Sequence, residues 1–467
     1  MTASISSSQR NKTNSLVIRS AVVAALGGLL FGFDTAVISG TTENLREVFH
    51  LSEFSLGFTV ATALIGTIVG AMSAGRPADR LGRKKVLGII GILYTVSALG
   101  SALVSNWYLF MLFRFIGGVG VGGASVVSPI YTAEISPARL RGRLVGLVQF
   151  NVVLGILLAY MSNFVLAKVF DYSVAWRWMF GVEAVPAVIF IVLALFIPES
   201  PRWLLGQSRD HEAREIIARL TRSHDEAESE LADIQRAIRE DSSLGTAPFF
   251  VARNRKVILL AIAIAAFNQL SGINAVMYYA PDIFRMAGAQ NDTAFLSSIA
   301  VGAMNLVATM TALTVIDKFG RRRLMVVGSI GYLVSLGAIA TVFFLAGDAQ
   351  ELAGSSSFIV LGGLLVFIAA HAFGQGSVIW VFISEIFPSR IRARGQALGS
   401  FTHWFFATVI SWGFPAIAGG LGGGWAFTVF FVCMLGQFVW VLTVVPETKD
   451  IPLEKMEAEL GLAGADS

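Results

Sequence analysis

Cysteine is nearly absent, charge is scarce, and the residues that build metal or nucleophile sites are thinly scattered. Cys433 is the single cysteine in 467 residues. No intramolecular disulfide can form, and its apolar surroundings give it the role of a small packing residue. Charged residues make up 14%, where soluble domains run near a quarter, so an ordinary soluble fold is excluded. An intramembrane enzyme needs converging His, Asp or Glu ligands, or a nucleophile beside its base, on facing helices. The apolar segments offer Asp34, Glu183, His371 and His403 without such a pattern, so neither catalysis nor a metal site is expected. The net charge of +4 is spread over short loops, which provides no nucleic-acid surface. Outer loops are short apart from 41–55 and 347–357, leaving no room for an extracellular domain.

What the chain has instead is apolar length. Hydrophobic residues reach 55% and the mean hydropathy is +0.69. Twelve segments can each cross a hydrocarbon core, which needs about 20 apolar residues. They are 16–40, 56–75, 86–104, 108–129, 144–164 and 179–197, then 257–283, 294–316, 324–345, 358–384, 396–417 and 426–445. The 47 glycines suit close helix–helix approach in lipid. Of 35 Lys and Arg, all but Arg46, Arg114, Lys168, Arg177 and Arg285 lie near the chain ends or in loops after even-numbered segments. The positive-inside rule then places both termini in the cytoplasm, as an even count requires. The Ser-rich stretch 1–15 reads as a disordered tail, and the first segment, with no cleavage site after it, as a retained helix.

The strongest signal is a repeat. Asp79-Arg80-Leu81-Gly82-Arg83-Lys84 returns as Asp317-Lys318-Phe319-Gly320-Arg321-Arg322. Glu134-Ile135-Ser136-Pro137 with Arg143 returns as Glu385-Ile386-Phe387-Pro388 with Arg394, and Pro198-Glu199-Ser200 as Pro446-Glu447-Thr448. The offsets of 238, 251 and 248 residues report nearly one period. A membrane domain duplicated in this way can rock one half against the other around a central site. Gly82 and Gly320 permit a tight turn, the basic cluster anchors the loop, and Asp79 or Asp317 can pair with an Arg or a helix N-terminus of the facing bundle. The set Asp79, Arg83, Glu134, Arg143, Glu199, Asp317, Arg321, Glu385, Arg394 and Glu447 is therefore expected to form gate-holding pairs rather than to bind substrate. This divides the chain into a tail (1–15), a first bundle (16–198), a linker (199–255), a second bundle (256–446) and a tail (447–467). Within the linker, Ile216, Leu220, Leu231 and Ile234 are spaced for amphipathic helices.

Asp34 and Arg114 lie deep in apolar segments, where a lone charge costs a few kcal/mol. Either they form a static ion pair or the carboxyl is a proton switch, since burial and a neighbouring Arg push its proton affinity in opposite directions. The run Asn268-Gln269-Leu270-Ser271-Gly272-Ile273-Asn274 puts three amides at membrane depth. On an unbroken helix Gln269 and Asn274 sit about 140° apart. A distortion at Ser271-Gly272 turns both toward one cavity, as in broken transporter helices, while the alternative is polar glue between helices.

Asp79-Arg-Leu-Gly-Arg-Lys, Arg114-x-x-Gly-Gly-x-Gly-x-Gly, Pro198-Glu-Ser-Pro-Arg-Trp-Leu, Gln269-Leu-Ser-Gly-Ile-Asn and Pro446-Glu-Thr-Lys resemble the signatures of the sugar porter family of the major facilitator superfamily. The resemblance implies an all-α membrane protein of twelve helices in two pseudo-symmetric six-helix bundles with cytoplasmic linker helices. It implies a monosaccharide substrate, glucose or xylose foremost, carried by alternating access across a bacterial inner membrane by one chain in the lipid bilayer. Proton-coupled members are similar in having Asp at the position of Asp34 with Arg at that of Arg114, whereas facilitative relatives often have a neutral residue there. H+ symport is the expectation, with a facilitative uniporter as alternative and a sugar sensor as a distant third. The proton is the coupling ion and no further cofactor is implied. Glu183 matches a further acidic position of the symporters. By resemblance Gln149, Gln269, Asn274, Asn305 and Trp380 match sugar-contacting positions, and Phe31 and Tyr278 lining positions. Asn268 stands where many relatives have Gln. His403-Trp404 departs from the usual amide before this Trp, so His403 either donates to a sugar hydroxyl or lines the pocket passively. Gly374-Gln375-Gly376-Ser377 lacks the prolines that many relatives carry. His371 reads as packing.

Overall fold

The computed structural model describes residues 7–243, 247–346, 355–388 and 390–449. Among these, twelve helices are long and apolar enough to cross a membrane. They are Ser15–Gly40, Glu53–Ser73, Arg83–Leu103, Trp107–Ile135, Leu140–Val169 and Tyr172–Ala194 in the first bundle. The second bundle has Ala252–Tyr278, Asn291–Ile316, Arg321–Leu345, Ser356–Ile386, Arg392–Leu421 and Gly423–Thr443. Each coincides with an expected segment. The outward faces carry exposed side chains such as Leu103, Val169, Leu195 and Val327 at 63–78% exposure, as a lipid-facing surface requires.

One expectation fails at the N-terminus. The first helix begins at Ser7, inside the stretch 1–15 read as a disordered tail. No Gly or Pro occurs before Gly27, so nothing stops the helix from extending upstream of the apolar segment.

Helix starts are capped where the sequence supplies a cap. Ser52 accepts from Ser55 N (3.2 Å), Asn106 from Leu109 N (3.2 Å), and Ser200, ahead of Pro201, from Trp203 N (3.1 Å). Small residues set the closest approach. A Cβ on Gly118 would lie 1.9 Å from the Ala63 carbonyl oxygen, and one on Gly66 2.2 Å from that of Phe115, so the second and fourth spans pack backbone to backbone.

The bundles meet through the second span with the eleventh and the fifth with the eighth. Duplication relates the second to the eighth and the fifth to the eleventh, so these contacts are one interface made twice. Between the bundles, helices Pro201–Gly206, Asp210–Leu220 and His224–Ser243 bury Leu204, Leu205, Ala213, Ile217 and Leu231 in a small core. The apolar spacing of the linker is buried there.

Candidate functional site

The repeated motifs build the same device in each bundle at the linker side. In the first, Arg83 binds Glu134 through Nε (3.0 Å) and Nη2 (3.1 Å), and its Nη1 donates to the Ala78 carbonyl (2.9 Å). Glu199 accepts from the backbone N–H of Arg83 (3.0 Å), Lys84 (3.2 Å) and Ser200 (2.8 Å). In the second, Arg321 Nη2 binds Glu385 (2.8 Å), and Glu447 accepts from the backbone of Arg321 (2.9 Å) and Arg322 (3.2 Å). Thr448 Oγ1 also donates to Glu385 (2.6 Å). Each Glu of the Pro-Glu motif thus caps the positive end of the third or ninth span. Gly82 (φ 95°) and Gly320 (φ 86°) make the turn that brings it there.

Two details differ from expectation. The pairs close within a bundle instead of reaching across: Asp79 binds Arg83 four residues on (3.1 Å). Arg143 and Arg394 do not join Glu134 and Glu385, because Arg83 and Arg321 already occupy those carboxylates. Arg143 is exposed, and Arg394 donates to the Ala247 carbonyl of the linker (2.9 Å). The side chain of Asp317 lies outside the described residues.

The bundles are tied to each other at the opposite end. Thr42 Oγ1 donates to Asp282 (2.7 Å), Arg285 approaches Glu43 (3.5 Å), and Lys168 pairs with Asp292. The Phe58 and Trp412 rings meet in a tilted contact, centroids 4.8 Å apart. Sequence reading missed these ties, since none belongs to a repeated motif.

Midway along the first bundle, Arg114 Nη1 meets Asp34 Oδ1 at 2.6 Å and Nη2 meets Oδ2 at 3.3 Å. Both residues are buried, at 1% and 2% exposure. Glu183 is buried beside them, at 1% exposure. It sits in a break of the sixth span between helices Tyr172–Gly181 and Ala184–Ala194, where Pro186 cannot donate to the Val182 carbonyl. Arg114 Nε and Glu183 Oε1 have no partner among the described residues. Tyr278, itself buried, reaches this cluster from the second bundle.

The seventh span breaks where the sequence suggested. Helix Arg255–Leu270 ends, Gly272 adopts a left-handed φ of 87°, and helix Ile273–Tyr278 follows. Just before the break, Gln269 Nε2 donates to Asn268 Oδ1 (2.9 Å) and lies 3.2 and 3.3 Å from the two ring nitrogens of His403. The His403 ring stands 5.3 Å from Trp380 and 4.9 Å from Trp404, and Phe31 completes the row 5.9 Å from Trp404. Amides, an imidazole and indole faces thus share one wall, matching the hydroxyls and C–H faces of a sugar. The remaining expected residues stay outside this cluster. Gln149 is exposed, Asn274 is half-buried, and Asn305 accepts from Thr309 of its own helix (3.3 Å). Trp380 is 42% exposed, so the wall is open.

The tenth span switches to a π-helical turn over Ala372–Gly376, a frequent mark of function. His371, read as packing, bonds the Tyr332 hydroxyl through Nδ1 (2.7 Å). Among the described residues no cluster suited to a metal ion occurs.

The family model described as sugar (and other) transporter matches residues 20–460. The D-xylose-proton symporter of Escherichia coli (strain K12) is 35% identical, over 95% of this chain and 96% of that protein. The arabinose-proton symporter of Bacillus subtilis (strain 168) is also 35% identical, over 96% of each. The inward open conformation of the xylose transporter XylE from E. coli superposes with a TM-score of 0.83 at 33% identity, covering 95% of this chain and 99% of that one. With the duplicated latches, the broken seventh span and this match over nearly its whole length, the chain belongs to the sugar (and other) transporter family.

Proposed function

We propose that this chain carries a monosaccharide, a pentose or hexose such as xylose or glucose, together with a proton by alternating access. A single chain works alone in a bacterial inner membrane, with both ends in the cytoplasm. The observation that carries the reading is the buried Asp34–Arg114 pair with Glu183 beside it. A proton arriving on the carboxylates releases part of the hold on Arg114, and its departure restores it. Tyr278 links this cluster to the helix break that also bears Gln269, so the proton state and the sugar wall share one moving element. Gln269, Asn268, His403, Trp380, Trp404 and Phe31 contact the sugar directly, while Gln149, Asn274 and Asn305 close on it when the bundles swing together. Arg83–Glu134 and Arg321–Glu385, with the caps Glu199 and Glu447, hold each inner end rigid, so a bundle moves as one body.

The facilitative alternative is set aside. Relatives aligning along the full chain are named as proton symporters, and a uniporter has no use for a buried carboxylate cluster.

The test is sugar uptake into proteoliposomes with and without an inward proton gradient, using wild type and Asp34→Asn. Wild type concentrates sugar only with the gradient, whereas Asp34→Asn exchanges labelled sugar in counterflow without concentrating it. Concentrative uptake by Asp34→Asn refutes the coupling role, and failure of counterflow for every monosaccharide tried refutes the substrate class.

A further inference from the structure

The transport reading makes no use of a cavity of about 930 Å³ between the linker helices and the start of the first span. Arg19, Arg214, Arg219, Arg222 and His224 line it, against a single carboxylate, Glu228, which stands 3.0 Å from Arg214. Its floor is apolar, with Leu16, Ile217 and Leu231.

The cavity continues into lipid-facing surface. Ser15, Ile18, Arg19 and Val22 share one helical stripe by their spacing of three, four and seven. The first and third of these line the cavity, while Ile18 and Val22 are 50% and 42% exposed. Beside them, Leu195 and Phe196 at the end of the sixth span are 64% and 66% exposed. Arg19 Nη2 donates to the Phe196 carbonyl (3.3 Å) and joins the two spans at this level. A basic chamber therefore opens onto an apolar wall at the depth where the first span enters the bilayer.

We infer that this cavity binds the head group of an anionic phospholipid. Arg19, Arg214 and Arg219 hold the phosphate, and the acyl chains lie along Ile18, Val22, Leu195 and Phe196. Guanidinium groups match phosphate oxygens in paired hydrogen bonds, and a basic residue near the bilayer surface is worth about a factor of five in binding. A soluble phosphate ester shares the head-group chemistry but leaves the apolar wall unused, which favours the lipid. The bound lipid staples the linker helices to the first span.

The test is thermal unfolding of the full chain in neutral detergent, titrated with phosphatidylglycerol, with phosphatidylcholine of the same acyl chains, and with glycerol 3-phosphate. Phosphatidylglycerol is expected to raise the melting midpoint saturably and the other two to leave it unchanged. Arg214→Gln/Arg219→Gln raises the half-saturating phosphatidylglycerol concentration by about 25-fold at a factor of five each. Glu228→Gln, which frees Arg214, lowers it. Arg236→Gln, on the same linker outside the cavity, leaves it unchanged. Should the double variant fail to fold, the opposite shift in Glu228→Gln carries the test. Equal responses to the two lipids, or no shift in Glu228→Gln, overturn the proposal. Saturation by glycerol 3-phosphate at the concentration effective for phosphatidylglycerol overturns the lipid in favour of a soluble ester.

Discussion

Gly82→Ala strikes the latch at its tightest point. Gly82 has φ 95° and ψ 156°, a region essentially confined to glycine that costs other residues about 1–3 kcal/mol. A Cβ there would stand 2.2 Å from Glu199 Oε2 and 2.9 Å from its Cδ, so the carboxylate must leave the N-terminus of the third span. The bonds from the backbone of Arg83 and Lys84 go with it, costing about 1–2 kcal/mol more. Together this is about 2–5 kcal/mol. Gly320→Ala meets a similar backbone (φ 86°) but a more distant carboxylate, with Glu447 Oε2 at 2.8 Å, and loses less. Gly422 has φ 88° and ψ 159° with nothing within 4 Å, so Gly422→Ala carries the backbone term alone, about 1–3 kcal/mol. The expected order of destabilisation is Gly82, Gly320, Gly422. Thermal unfolding of the purified variants, followed by intrinsic tryptophan fluorescence, reads this order. Glu199→Ala should also lessen the further cost of Gly82→Ala, because the clash is gone, which a double-mutant cycle detects. A Gly422→Ala midpoint as low as that of Gly82→Ala, or strict additivity in the cycle, refutes the role of the carboxylate contact.

Three further outcomes follow from the same geometry. Burial pushes the Glu199 carboxyl above its ordinary 4.5, against the backbone donors of Ser200, Lys84 and Arg83. The folded state then binds this proton more tightly than the unfolded chain, so the stability contributed falls as pH rises from 4.5 through the raised folded value. Glu199→Gln should flatten the pH dependence of the melting midpoint in that window, and an unchanged slope refutes the assignment. His403→Leu removes a partner of the Gln269 amide and should raise the half-saturating sugar concentration roughly tenfold, from a hydrogen bond worth about 1–1.5 kcal/mol. An unchanged value in counterflow makes His403 a passive lining residue. Glu43→Gln with Asp292→Asn cuts two partly exposed ties worth about 0.2–1 kcal/mol each. This should shift the balance roughly two- to thirtyfold toward structures in which the inner ends approach. Spin-label distances between the inner ends of the two bundles measure the shift, and an unaltered distribution refutes it.

The sequence alone determined the twelve spans and the duplication, and pointed to a distortion at Ser271-Gly272 as one of two alternatives. Apolar length, repeated motifs and a glycine beside buried amides are local properties that no packing arrangement erases. It also put Asp34 and Arg114 in play, because a charge in hydrocarbon must find an opposite one. Tertiary structure decided the partners. Glu134 bonds Arg83 and not Arg143, the latches close inside each bundle, and the ties between bundles include Thr42–Asp282, Glu43–Arg285 and Lys168–Asp292. It brought His403 to Gln269 across 134 residues of chain and opened the basic chamber beneath the first span. Hydropathy and spacing are written along one dimension. Which of several arginines lies within 3 Å of a carboxylate depends on how separate helices pack, and that is fixed by the whole bundle at once.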